Sequence, residues 1–128
     1  IREEIFKLLF EYELIDNNID KRINDVISEE NLKKDEEIDF LRSYVTEIIE
    51  NQNILIERIR EVLDGWTYER LGTIEKVLLK ISFYEITIKD IGYEIAINEV
   101  LEIAKKYSYN DTKDFLNGIL AKLVKDMK

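Results

Sequence analysis

Carboxylates are the most abundant side chains in this sequence suited to proton transfer: 28 aspartates and glutamates among 128 residues, with no cysteine and no histidine. Two carboxylates held in different environments can divide acid and base roles between them. At this density, however, any two acids fall close together somewhere, so proximity alone carries no information. The missing residue types say more. Without Cys and His the chain cannot build a Cys/His zinc site, a thiolate nucleophile, a disulfide or a His-based triad. The sequence therefore reads as a binding protein, and no catalytic residue, metal or cofactor is assigned.

Charge points to the kind of partner. A net charge of −9 opposes non-specific nucleic-acid binding, which depends on Lys and Arg displacing counterions from phosphates. The charge is unevenly spread: residues 1–69 hold 9 basic and 19 acidic side chains, net −10, and residues 70–128 hold 10 basic and 9 acidic, net +1. A nucleic-acid surface is accordingly expected in the second half. No apolar run of about 18 residues could span a bilayer, and no basic start leads into an apolar stretch, so a cytoplasmic protein with no membrane partner is expected. The sequence begins at Ile1 rather than methionine, leaving room for a natural stretch ahead of it.

Helices must position whatever site exists. Proline is absent, glycine occurs four times, and 45% of residues are hydrophobic, enough for the core of one domain. Ile5, Leu8, Leu9 and Tyr12 follow the i, i+3, i+4, i+7 spacing of one helical face, which Ile1 and Ile15 extend. Asp16-Asn17-Asn18 can cap or turn, and Ile19, Ile23, Val26 and Ile27 mark a short second helix. Residues 28–39 are highly charged and read as an exposed link. Leu41, Tyr44, Val45, Ile48, Leu55, Ile59 and Val62 predict one helix of about six turns over residues 40–63. Asp64-Gly65-Trp66-Thr67 ends it, with Gly65 suited to a left-handed C-terminal cap, and this places a subdomain boundary between 1–65 and 66–128.

In the second subdomain Thr73 is the expected cap of a central, mostly buried helix whose stripe is Ile74, Val77, Leu78, Ile81 and Ile88. Tyr93, Ala96, Ile97, Val100, Leu101 and Ala104 mark the next helix. A last one, capped by Asp111 or Thr112, carries Phe115, Leu116, Ile119, Leu120, Leu123 and Val124. The expected fold is all-α, a helical bundle of two three-helix subdomains.

Residue-level resemblance begins at Leu71. LGTIEKVLLKISFYEI, then IAINEVLEIAKKY, then DFLNGILAKL resemble segments of the NusB family in order and spacing, through Tyr84-Glu85, Ile97-Asn98-Glu99 and Phe115-Leu116-Asn117-Gly118. The first helix, REEIFKLLFEYEL, is similar to the family's start, while residues between about 16 and 65 match only in helical pattern. The resemblance implies a transcription antitermination factor that binds boxA RNA together with NusE, a ribosomal protein, and helps an RNA polymerase antitermination complex read through in ribosomal RNA operons. It implies RNA contacts at Arg2, Asp111 and Phe115, and contacts with the ribosomal protein at Phe10, Glu69 and Glu75. Arg2 is the only arginine here that matches the family's arginine-rich start, and Asp114 stands where a basic residue can occur. Some family members pair with themselves, so a homodimer is a further partner to test.

Each of these residues also has a purely structural reading. Phe115 lies on an apolar face and can pack as well as stack. Asp111 can cap, and Glu75 can stabilise a helix dipole. Gly118 inside a helix suggests a close helix crossing that leaves no room for a Cβ, or backbone access for RNA. Asn98 and Glu99 suit a neighbouring helix terminus, and Trp66 a core position near a hinge. Two other functions fit the same helical pattern: the NusB-like RNA-binding domain of an RNA methyltransferase, and a helical oligomerisation module.

Overall fold

The computed structural model describes residues 1–127, and among them all regular structure is helical. Contacts divide the chain into two compact units, Ile1–Asn51 and the residues from Gln52 on.

The first unit holds α1 (Arg2–Leu14), α2 (Ile19–Glu29) and α3 (Asp35–Glu50). The helical spacing of the sequence emerges as burial: Ile5, Phe6, Leu8 and Leu9 of α1 meet Ile23 and Val26 of α2 and Leu41, Tyr44, Val45 and Ile48 of α3 in one core. Asn18 caps α2, its side-chain oxygen accepting the Lys21 N–H at 3.2 Å. Part of the expected charged link is in fact the first turn of α3, where Asp35, Glu36 and Glu37 favour the positive end of the helix dipole. Arg22 ties α2 to α1, with Nε 2.7 Å from Glu11 Oε1 and a terminal nitrogen 2.8 Å from Asp25 Oδ2. Hydrogen bonds from Arg22 hold the carboxyls of Glu11 and Asp25 below their ordinary range.

The expected six-turn helix is broken. Asn51 leaves helical geometry at φ −101°, ψ 10°, and its amide Nδ2 donates to the Glu47 carbonyl at 2.7 Å. An asparagine side chain that adds a second bond to a last-turn carbonyl already accepting its own N–H offers the backbone an alternative to continuing the helix. α4 (Gln52–Val62) therefore starts a second unit, and Leu55, Ile59 and Val62 pack there against α5 (Thr73–Thr87). The division by contacts thus falls ahead of Gly65, which adopts the left-handed conformation at φ +78° just beyond α4.

A single 3₁₀ turn, Tyr68–Arg70, leads into α5, where every residue from 77 to 86 is buried. That is the expected central helix. α5 is flanked by α4, α6 (Tyr93–Tyr107) and α7 (Asn110–Met127). Hydrogen bonds from Arg58 to the Thr87 hydroxyl (2.6 Å) and from Lys80 to Gln52 (3.3 Å) fasten it to α4. Asp90 at φ 57° ends α5 in a left-handed turn, letting the Ile91 N–H reach the Glu85 carbonyl at 2.8 Å. α6 buries Ala96, Val100, Ile103 and Ala104, and α7 buries Leu116, Ile119, Leu120 and Leu123. Seven α-helices thus stand among the described residues where about six were expected, the extra one arising at Asn51.

Candidate binding groove on the last helix

α7 starts at Asn110, not at the expected caps Asp111 or Thr112. The Tyr109 carbonyl accepts from the Thr112 N–H at 3.1 Å, so Asp111 sits exposed inside the first turn. A carboxylate there is stabilised by the helix dipole, by about 0.3–1 kcal/mol. Phe115 follows one turn later, half-buried, with its ring edge-on to that of Trp66 at 5.6 Å and 68°.

Trp66 corrects a sequence expectation. Instead of filling a hinge in the core it is 55% exposed, while Val62 and Tyr68 on either side of it are buried. The turn through Asp64 and Gly65 gives the inward positions to those neighbours and leaves the indole at the surface. Trp66 and Phe115 together line one side of an open groove of about 330 Å³. Its apolar base includes Val62 and Ile119, and Asp64, Asp114 and Lys122 bring charge to it.

Gly118 lines the same groove and overturns the close-crossing reading, because a Cβ built there meets nothing within 4 Å. A glycine in a helix interior costs about 1 kcal/mol relative to alanine. Packing gives no reason for that cost, and the space that a side chain would occupy is open. Sequence reasoning missed Trp66 and Lys122 as groove residues. Lys122 was legible in principle, since Phe115, Gly118 and Lys122 lie at i, i+3 and i+7 on one helical face.

The other expected site residues are placed as follows. Glu69 lies exposed in the 3₁₀ turn, its carboxylate bonded to two nitrogens of Arg60 at 2.5 and 3.1 Å. That hydrogen bonding holds the Glu69 carboxyl below its ordinary range, while the Arg60 guanidinium also lies 5.5 Å over the Tyr68 ring. Glu75 accepts the Gly72 N–H at 2.7 Å, so Gly72, rather than Thr73, occupies the N-cap of α5. Both acids therefore flank the short segment that opens α5. In the first unit, Arg2 stacks its guanidinium 5.4 Å over the Phe40 ring, and Phe10 lies 5.8 Å from Phe6 on α1. Asp111 and Phe115 share one helix, whereas Arg2 and Phe10 belong to the other unit.

An all-helical fold with an aromatic groove and pre-ordered surface carboxylates defines a binding protein. The chain belongs to the NusB family, which it matches over residues 1–125. It is 35% identical over 125 residues to the transcription antitermination protein NusB of Ruminiclostridium cellulolyticum, covering 97% of this chain and 86% of that one. It is 34% identical to the NusB of Fusobacterium nucleatum, over 99% and 88% of the two chains. Among solved structures, T. maritima NusB superimposes with a TM-score of 0.85 at 28% identity, over 95% of this chain and 86% of that one. A chain from the crystal structure of antitermination factors NusB and NusE in complex with dsRNA shares the fold, with a TM-score of 0.88 at 21% identity over 98% and 93% of the two chains.

Proposed function

We propose that this chain is a transcription antitermination factor that binds boxA RNA together with a NusE-type ribosomal protein and promotes read-through in ribosomal RNA operons. The observation that carries this reading is the end-to-end similarity to proteins named as transcription antitermination factors. Its work is binding rather than catalysis. The place of action is the cytoplasm, within an RNA polymerase antitermination complex.

The distribution of charge supports a basic partner bound beside RNA. Residues 1–51 carry 7 basic and 15 acidic side chains, net −8, and residues 52–128 carry 12 and 13, net −1. The strongly acidic first unit draws a basic ribosomal protein toward the chain, and the nearly neutral second unit, which holds Glu69 and Glu75 as well as Asp111 and Phe115, tolerates an RNA strand beside that protein. Phe10, Glu69 and Glu75 are the proposed contacts to that protein. The Arg60 pairing of Glu69 and the capping bond of Glu75 fix both carboxylates before a partner arrives. Arg2, Asp111 and Phe115 are the proposed RNA contacts. Arg2 supplies charge to phosphate, Asp111 accepts from a base edge, and Phe115 offers a face for stacking.

The test is a titration of labelled boxA RNA, and of a scrambled control, with this protein alone and with its NusE-type partner. Weak binding alone and tighter, boxA-selective binding with the partner are expected. A partner that associates but leaves RNA affinity unchanged contradicts the proposal.

A further inference from the structure

Gly118 is the residue of α7 that packing leaves unexplained, and its surroundings suggest what it makes room for. The space beyond its Cα is open, and Gly118 lines the same groove as Trp66 and Phe115. We infer that this groove receives a single unpaired guanine base of the bound RNA. The inference rests on the RNA-binding reading above and deepens it.

Three features of the groove select the occupant. Trp66 and Phe115 meet edge-on, and the indole is more than half exposed, so a flat heteroaromatic ring can stack against it. Stacking on an aromatic side chain is how splayed single-stranded bases are held, and it is indifferent to base identity. Lys122, one turn beyond Gly118, offers a cation to the adjoining phosphate.

Identity comes from the carboxylates. Asp64 and Asp114 line the groove and, being acceptors only, bind hydrogen-bond donors. Guanine alone presents two adjacent donors on one edge, N1–H and the N2 amino group, which match the two oxygens of one carboxylate. Adenine and cytosine offer one amino group there, and uracil one ring N–H. A side chain at position 118 would occupy the space the base needs, which explains why this helix carries its glycine.

Trp66 is the sole tryptophan of the chain, so its fluorescence reports on the groove directly. The experiment uses the full chain with its NusE-type partner and single-stranded oligouridine RNAs bearing a central guanine, adenine, cytosine or uridine. Affinity is read by anisotropy and stacking by Trp66 quenching. The guanine RNA is expected to quench Trp66 and to bind about tenfold tighter than the all-uridine RNA, within the range that one bidentate contact to a base edge supplies. Gly118→Leu, whose Cβ has open space, is expected to fold as the parent does, checked by its melting curve, and to abolish both effects. The double variant Asp64→Asn, Asp114→Asn is expected to keep the quenching and lose the guanine preference. Tight RNA binding with unchanged Trp66 emission and a harmless Gly118→Leu overturns the guanine site and leaves the antitermination reading intact. Quenching by the partner protein alone overturns it in favour of a protein occupant. Absence of RNA binding under all conditions overturns both.

Discussion

α5 and α7 pack side by side in one unit, yet they put their residues to different use. From 77 to 86 α5 has no exposed position, and even Lys80, Ser82 and Glu85 are buried. α7 buries only a stripe, and it leaves Asp111, Asp114, Asn117 and Gly118 exposed. In α5 residue types follow from the surrounding core. In α7 one choice, Gly118, works against the helix that contains it. A residue that costs stability and is not required by packing is where binding leaves its mark on a sequence.

The largest test of that contrast lies in α5. Leu78 is fully buried, so Leu78→Ala should lower stability by about 2–5 kcal/mol in urea denaturation, through lost transfer energy and the cavity left behind. A loss well below that range would mean that α5 is less tightly enclosed than its burial shows. The opposite sign is expected in α7: Gly118→Ala should raise stability by about 1 kcal/mol, because alanine is the better helix former and has open space. A destabilised Gly118→Ala would return this glycine to a packing role and remove the contrast.

The smallest effect concerns the first unit and its pH dependence. Glu11 and Asp25 have carboxyls lowered by hydrogen bonds from Arg22, so their contribution is complete above the ordinary values of 4.5 and 3.8. It fades as pH falls through the lower values of the folded state. Exposure to solvent keeps the effect modest. Urea midpoints measured from pH 6 downward should fall less for Arg22→Met than for the parent. Parallel curves would mean that the bridge does not couple to folding.

Much of the fold was legible because burial follows periodicity. Ile5, Leu8 and Leu9, or Leu116, Ile119, Leu120 and Leu123, can be read from the sequence and all are buried. The break at Asn51 was not legible, since apolar spacing runs on from Ile48 through Leu55 and the interruption depends on a side-chain bond to the Glu47 carbonyl. The N-cap of α5 was misplaced by one residue because Thr73 is the better cap by type. The hydrogen bond that the Gly72 N–H donates to the Glu75 carboxylate decides the matter in the folded chain. Trp66 was misplaced for a related reason: tryptophan usually joins a core, and only the path of the Asp64-Gly65 turn shows which neighbours take the buried positions. Asp111 and Phe115 were legible as a pair one helical turn apart, but the groove beside them requires the α4–α7 packing.

Whether this chain and a ribosomal protein form an RNA-binding surface that neither offers alone is decided by the salt dependence of boxA RNA binding, measured with and without the NusE-type partner. Expected are weak binding by the isolated chain that collapses as salt rises, and boxA-selective binding with the partner that survives at the higher salt. Equal affinity for boxA and scrambled RNA at both salt concentrations, with the partner demonstrably bound, would contradict it.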